Sequence, residues 1–164
     1  MQTPDSHARI EVPVELLAAI DRAEQGGDGA AAVALAQRAI ESGYVHPRLF
    51  DLRGRWMRDR GRLREALDDL QRAHTLAPKT VSILVALAAC LNDLGRHKQA
   101  LLAAGDARAI DPACPGAWLQ KGIAHRRLEQ RDRARACFAE AVRLDPGMSD
   151  AKAQLAELGA APSP

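Results

Sequence analysis

Three segments of this chain superimpose at a fixed spacing of 34 residues. Gly54, Ala88 and Gly122 fall in one column, Ala66, Ala100 and Ala134 in a second, and Ala73, Ala107 and Ala141 in a third. Pro78, Pro112 and Pro146 close each segment. A period of this length marks a repeat array, in which each unit buries its apolar face only by stacking on its neighbours. Such arrays work by presenting a surface, so a binding face is expected ahead of a catalytic pocket.

The segments run 47–80, 81–114 and 115–148, and one period earlier 13–46 keeps the register with Leu16, Ala32, Ala36 and Ala39. Within a unit the apolar spacing is helical. In 115–148, Trp118, Ile123 and His125, followed by Ala134, Phe138 and Ala141, suit two amphipathic helices with a short break. The breaks hold Gly27, Gly61 and Gly95, and in the last unit Glu129 and Gln130. Proline ends each second helix because it lacks an N–H and clashes with the preceding turn. Glycine inside a helix costs about 1 kcal/mol relative to alanine, so Gly54 and Gly122 need a reason, and close helix contact supplies one.

These columns resemble the tetratricopeptide repeat. The family pattern places a bulky residue in the fourth slot, held here by Leu16, Phe50, Leu84 and Trp118. The eleventh slot holds Ala23, Met57, Leu91 and His125, and the later aromatic slot Ala36, Leu70, Ala104 and Phe138. The first unit departs most, with Ile20 in the small slot and Tyr44 in place of the final proline. Arg53 and Lys121 occupy an apolar slot, and their stems are expected to pack while their heads reach water. The resemblance implies an all-α, right-handed solenoid of four helical hairpins plus a C-terminal capping helix at 149–159. Residues 1–12 read as a polar arm and 160–164 as a tail or linker.

Composition narrows the function classes. A net charge of +2 points to no particular partner, and aromatics at 3% fit poorly with a deep apolar ligand pocket. Cys90, Cys114 and Cys137 are widely spaced, which argues for reduced thiols, a cytoplasmic location and neither a zinc site nor a disulfide framework. The start of the chain shows no signal-peptide pattern, and the apolar run at 81–91 is far too short to cross a bilayer. No catalytic motif is present, and Gly26, Gly27, Asp28 and Gly29 read as a turn because no Lys-Ser/Thr follows them. Asp51, Asp68 and Asp69 read as solvated helix faces, and His125 as a core residue. Neither enzyme activity nor a cofactor nor a metal is expected.

By the resemblance, the first helix of each unit lines a concave groove through its second, fifth, ninth and twelfth slots. These carry Arg48, Asp51, Arg55 and Arg58, then Ser82, Val85, Ala89 and Asn92, then Gly116, Leu119, Ile123 and Arg126. The groove is thus charged at the second unit and apolar across the third and fourth, and an apolar strip of this kind marks a contact site. The lysines and asparagines with which some family members clamp an acidic carboxy terminus are missing: their positions hold Asp51, Arg55, Ala86, Gly116 and Gln120. A second feature is a basic edge. Arg53, Arg55, Arg58, Arg60, Arg62 and Arg64, then Arg96, His97 and Lys98, then Arg126, Arg127, Arg131, Arg133 and Arg135 crowd the hairpins and their turns. Nucleic acid is disfavoured there because no aromatic residues are interleaved to stack on bases, and a membrane is not expected. The expected function is recognition of a protein or peptide partner in the groove. Alternatives are a recruiting domain of a larger enzyme and a nucleic-acid binder acting through the arginine edge. Oligomeric state is left open.

Overall fold

The structure, a computed structural model, describes residues 11–159. Among them are nine α-helices and no strand. They form two compact units that divide between Leu76 and Ala77. The first contains α1 (Val14–Gln25), α2 (Gly29–Glu41), α3 (Pro47–Asp59) and α4 (Leu63–Leu76). The second contains α5 (Val81–Asp93), α6 (His97–Ile110), α7 (Pro115–Arg127), α8 (Arg131–Leu144) and α9 (Ser149–Gly159). Residues 1–10 of the expected arm and the expected tail at 160–164 lie outside the described residues. Val12 does not behave as part of a polar arm: it packs on the cluster around Ile20.

Prolines punctuate the helices at both ends. Pro47 and Pro115 open α3 and α7 at the first turn, where a missing N–H costs nothing. After α6 and α8, Asp111 and Asp145 leave the helical conformation just ahead of Pro112 and Pro146. Their carboxylates then accept hydrogen bonds from the backbone N–H of Ala113 (3.0 Å) and Gly147 (2.8 Å), fixing the turn.

The turns inside the hairpins repeat one backbone solution. Gly27, Gly61 and Gly95 all take φ between 74° and 76°, a left-handed end that lets the chain reverse. The equivalent residue of the last hairpin is Glu129, at φ 61°, the single non-glycine residue with positive φ among those described. A side chain there costs about 1 kcal/mol. Glu129→Gly is therefore expected to raise stability by about that amount. A urea-unfolding midpoint that stays put or falls would show that the glutamate side chain compensates for its own strain.

Three of the four hairpins pair one large residue with one small one, and the third pairs two alanines. In the first unit Ile20 of α1 is fully buried against Ala32, Ala36 and Ala39 of α2. In the next hairpin the sizes reverse: a Cβ on Gly54 would lie 2.9 Å from the Leu70 side chain and 3.2 Å from the Ala66 carbonyl oxygen. In the second unit a Cβ on Gly122 would lie 2.5 and 2.6 Å from two ring carbons of Phe138. Ala88 and Ala104 hold the corresponding positions of α5 and α6, both fully buried. The position spaced from Ile20 thus reads Ile, Gly, Ala, Gly, and the facing position Ala, Leu, Ala, Phe. Where one helix has bulk, the other has none, and the packing stays dense.

α9 lies on α8. It buries Ala151, and Leu155, Leu158 and Met148 join the cluster formed by Leu119, Ala134, Phe138 and Ala141. That cluster would otherwise face water.

Candidate functional site

In the first unit the four expected groove residues sit on α3 and are already engaged. Arg48 pairs with Asp21 and Glu24 of α1, the latter at 2.6 Å. Arg55 bonds Asp51 at 2.8 Å, one turn earlier on the same helix. Arg58 makes further polar or electrostatic contacts of its own. These side chains are half-buried, and Arg48, Asp51 and Arg55 meet their opposite charges within the unit.

Arg53 departs most from expectation. Its guanidinium is mostly enclosed and makes a two-pronged bond to Asp69 of α4, at 2.6 and 2.7 Å, and a third to Gln37 of α2 at 2.8 Å. The side chains of Arg53 and Asp69 are only 14% and 6% exposed. Asp69 is therefore a buried partner and not a solvated face. A charge so enclosed must be met by an opposite one, and the hydrogen bonds to Asp69 hold the Arg53 pKa above its ordinary value. Gln37, Arg53, Arg62, Glu65, Asp68 and Arg72 border a polar cleft of about 420 Å³ around this pair. The basic edge of this unit is partly engaged as well: Arg62 pairs with Glu65, Arg60 stacks 3.3 Å over the Trp56 ring and keeps its charge, and Arg64 is exposed.

In the second unit the expected residues separate into two groups. Ala89, Asn92 and Leu119 are buried and contribute to packing, so the open apolar strip does not include them. Leu119 belongs to the cluster under α9. Asn92 is a tie: its Nδ2 donates to the Gln120 backbone oxygen at 2.9 Å and to Gln120 Oε1 at 3.2 Å, joining α5 to α7. Ser82 is exposed, and Val85, Gly116, Ile123 and Arg126 are half-buried. Val85 and Gly116 mark the close approach of α5 and α7, since a Cβ on Gly116 would be 3.1 Å from Val85 Cγ1. Arg126 reaches across to pair with Glu157 of α9. Between the end of α5 and α7 lies a depression of about 410 Å³, bordered by Asn92, Asp93, Gly95, His97, Ile123 and Arg127.

The titratable groups of this unit favour a structural role. His125 is buried and its Nδ1 lies 2.6 Å from Gln130 Oε1. Burial holds its pKa below the usual imidazole range, against the opposing pull of that hydrogen bond. Burial likewise pushes the Cys137 thiol up, away from the reactive thiolate. Among the described residues no group of three or more His, Cys, Asp or Glu side chains is placed to hold a metal ion, and no helix is long and apolar enough to cross a membrane.

The family model of the tetratricopeptide repeat matches residues 115–148, which are α7, α8 and the turn between them. No curated protein matches the chain in sequence. Among solved structures, TTC0263, a thermophilic tetratricopeptide-repeat protein of Thermus thermophilus, is similar with a TM-score of 0.73 and 23% identity, over 88% of this chain and 79% of that one. YrrB, described as a tetratricopeptide-repeat protein with an unusual peptide-binding site, gives 0.72 and 21% over 91% and 75%. The first such domain of Spaghetti (RPAP3), bound to an HSP90 peptide, gives 0.65 and 18% over 69% and 90%. The chain therefore has the all-α tetratricopeptide-repeat fold expected from its columns, and its fourth segment carries the repeat in sequence. The fold is one that protein-interaction modules use.

Proposed function

We propose that this chain is a peptide-recognition module without catalysis of its own, and that it holds a partner segment against the inner face of its second unit. The four segments 13–46, 47–80, 81–114 and 115–148 are its repeat units, and α9 is the cap that shields the last of them. The observation that carries the reading is the face formed by Ser82, Val85, Gly116 and Ile123. Small or apolar residues line it, α5 and α7 hold it rigidly, and Asn92 ties those helices together. An extended segment would place apolar side chains on Val85 and Ile123. Arg126 would orient an acidic group only by exchanging Glu157 for it. Arg48, Asp51, Arg55 and Arg58 of the first unit support that unit and stand outside the contact. The peptide-binding descriptions of YrrB and the Spaghetti domain agree with this use of the fold.

Selection of binders from a displayed peptide library, followed by titration against Val85→Glu and Ile123→Glu, tests the reading. A charge placed on this face meets apolar partner groups and loses solvation. The selected peptides are expected to bind either variant at least about tenfold more weakly, a change of about 1.4 kcal/mol, while the helical circular dichroism is kept. Peptides that bind wild type and both variants alike would sink the inner-face site.

A further inference from the structure

Cations at the hairpin turns are treated differently in the two units. In the first, Arg62 is paired with Glu65, Arg53 with Asp69, and Arg60 lies over Trp56, which leaves Arg64 as the one turn arginine there that is exposed and without an ion pair among the described residues. In the second, residues 92–99 and 126–135 carry seven lysines and arginines against three carboxylates. Arg126 has Glu157, and Arg131 donates to the Leu158 carbonyl at 3.2 Å. Arg96, Lys98 and Arg127 are exposed and make no ion pair among the described residues.

These cations border shaped space. A depression of about 410 Å³ is lined by Gly95, Arg96, His97, Lys98, Gln99 and Leu128. Leu128 and the aliphatic stems of Arg96 and Lys98 provide apolar surface beneath charged heads. A second depression, bordered by Asn92, Asp93, Gly95, His97, Ile123 and Arg127, runs from the same turn toward the inner face, and its single carboxylate, Asp93, leaves the surrounding turn cationic on balance. The turn is held in place. Asn92 is tied to Gln120 of α7, and its Oδ1 faces His97 Nδ1 at 3.4 Å. The turn that carries the cations is thus fixed in place, so binding has only their side chains to order.

We propose that this edge of the second unit docks an acidic peptide segment that alternates carboxylates with apolar side chains. The carboxylates meet Arg96, Lys98 and Arg127 in charge-assisted hydrogen bonds. One apolar side chain enters the depression against Leu128. The proposal rests on the reading of the chain as a peptide binder and adds to it a second surface, separate from the inner face, with its own ligand chemistry. A nucleic acid fits less well because no Phe, Tyr or Trp lines either depression.

The test is fluorescence anisotropy with the intact chain and short labelled probes: a peptide alternating glutamate and leucine, its glutamine–leucine counterpart, and a single-stranded oligodeoxynucleotide. The glutamate peptide is expected to bind, more weakly as salt rises, and at least about tenfold more tightly than the glutamine peptide. The variant Arg96→Glu/Lys98→Glu/Arg127→Glu is expected to lose about tenfold or more of that affinity. Two of its changes place acids at the start of α6, where the helix dipole favours them, and the third places one at the end of α7, where it does not, so helical circular dichroism and the urea-unfolding midpoint of the variant are measured beside wild type to separate lost binding from unfolding. Val85→Glu is expected to bind the glutamate peptide within about twofold of wild type. An edge variant that binds as wild type does, a Val85→Glu variant that alone loses the peptide, or a wild type that ignores the peptide would each overturn the edge site. Tighter binding of the oligonucleotide than of the peptide would overturn it in favour of a nucleic-acid surface. The inner-face reading fails separately, when library-selected peptides ignore Val85→Glu.

Discussion

Gly122→Ile is expected to destabilise the chain by about 3 kcal/mol or more. The first atom of any side chain at this position falls 2.5 Å from Phe138 Cε1, well inside contact distance. Phe138 is fully buried, so its ring has no free space into which to retreat. Removing a glycine from a helix returns less than about 1 kcal/mol of backbone propensity, which is too little to offset the clash. Phe138→Ala alone is expected to cost about 3–5 kcal/mol by leaving a cavity. The two together should cost less than their sum by about 2 kcal/mol, because they rebuild at α7 and α8 the pairing of Ile20 with Ala36. Urea unfolding of the four proteins in this cycle measures the coupling. Strict additivity would show that residues 122 and 138 do not share one space.

Asp69→Ala is expected to cost about 3 kcal/mol. The change removes two of the three hydrogen bonds made by the Arg53 guanidinium, leaving the one to Gln37 and the weaker pull of the Glu41 and Glu65 carboxylates. Arginine cannot escape by shedding its proton. Replacing both partners should behave quite differently. Arg53→Leu with Asp69→Ala supplies the residues that Leu87 and Ala103 provide in the following hairpin, where both are buried. That double variant is expected to fall within about 1 kcal/mol of wild type, since an apolar pair of suitable size can replace a buried ion pair. Thermal unfolding of the three variants decides the matter. A double variant as unstable as Asp69→Ala would mean that the pair contributes something an apolar contact cannot.

The twelve slots read from the sequence as groove-lining fall on α3, α5 and α7. The slots do not say which side chains a neighbouring helix will cover. Ala89, Asn92 and Leu119 share the periodicity of Val85 and Ile123 but are buried in the stack. The Arg53–Asp69 clamp escapes any reading that takes each residue singly. A signal is nevertheless present: the hairpin with an arginine at 53 has an aspartate 16 residues later, whereas the next hairpin has Leu87 and Ala103 in those places. The basic turns are legible as a run of arginines. The difference between paired and unpaired ones is not, because their partners come from other helices.

The sequence by itself determined the helices, their breaks and their register, because these depend on local properties that repeat. Small residues recur where helices touch, prolines occur where a helix must stop, and glycines occur where the backbone must turn left-handed. A signal repeated at the same spacing in several segments survives the departures of any one of them, so Glu129 could take the place of a glycine and still adopt its conformation. Tertiary structure alone decided which bulky residue fills which gap, which charges are enclosed and which remain available. Those outcomes depend on atoms brought together from separate helices: Phe138 over Gly122, Asp69 on Arg53, and Asn92 on Gln120. Burial and pairing are properties of such contacts, and no single helix contains them.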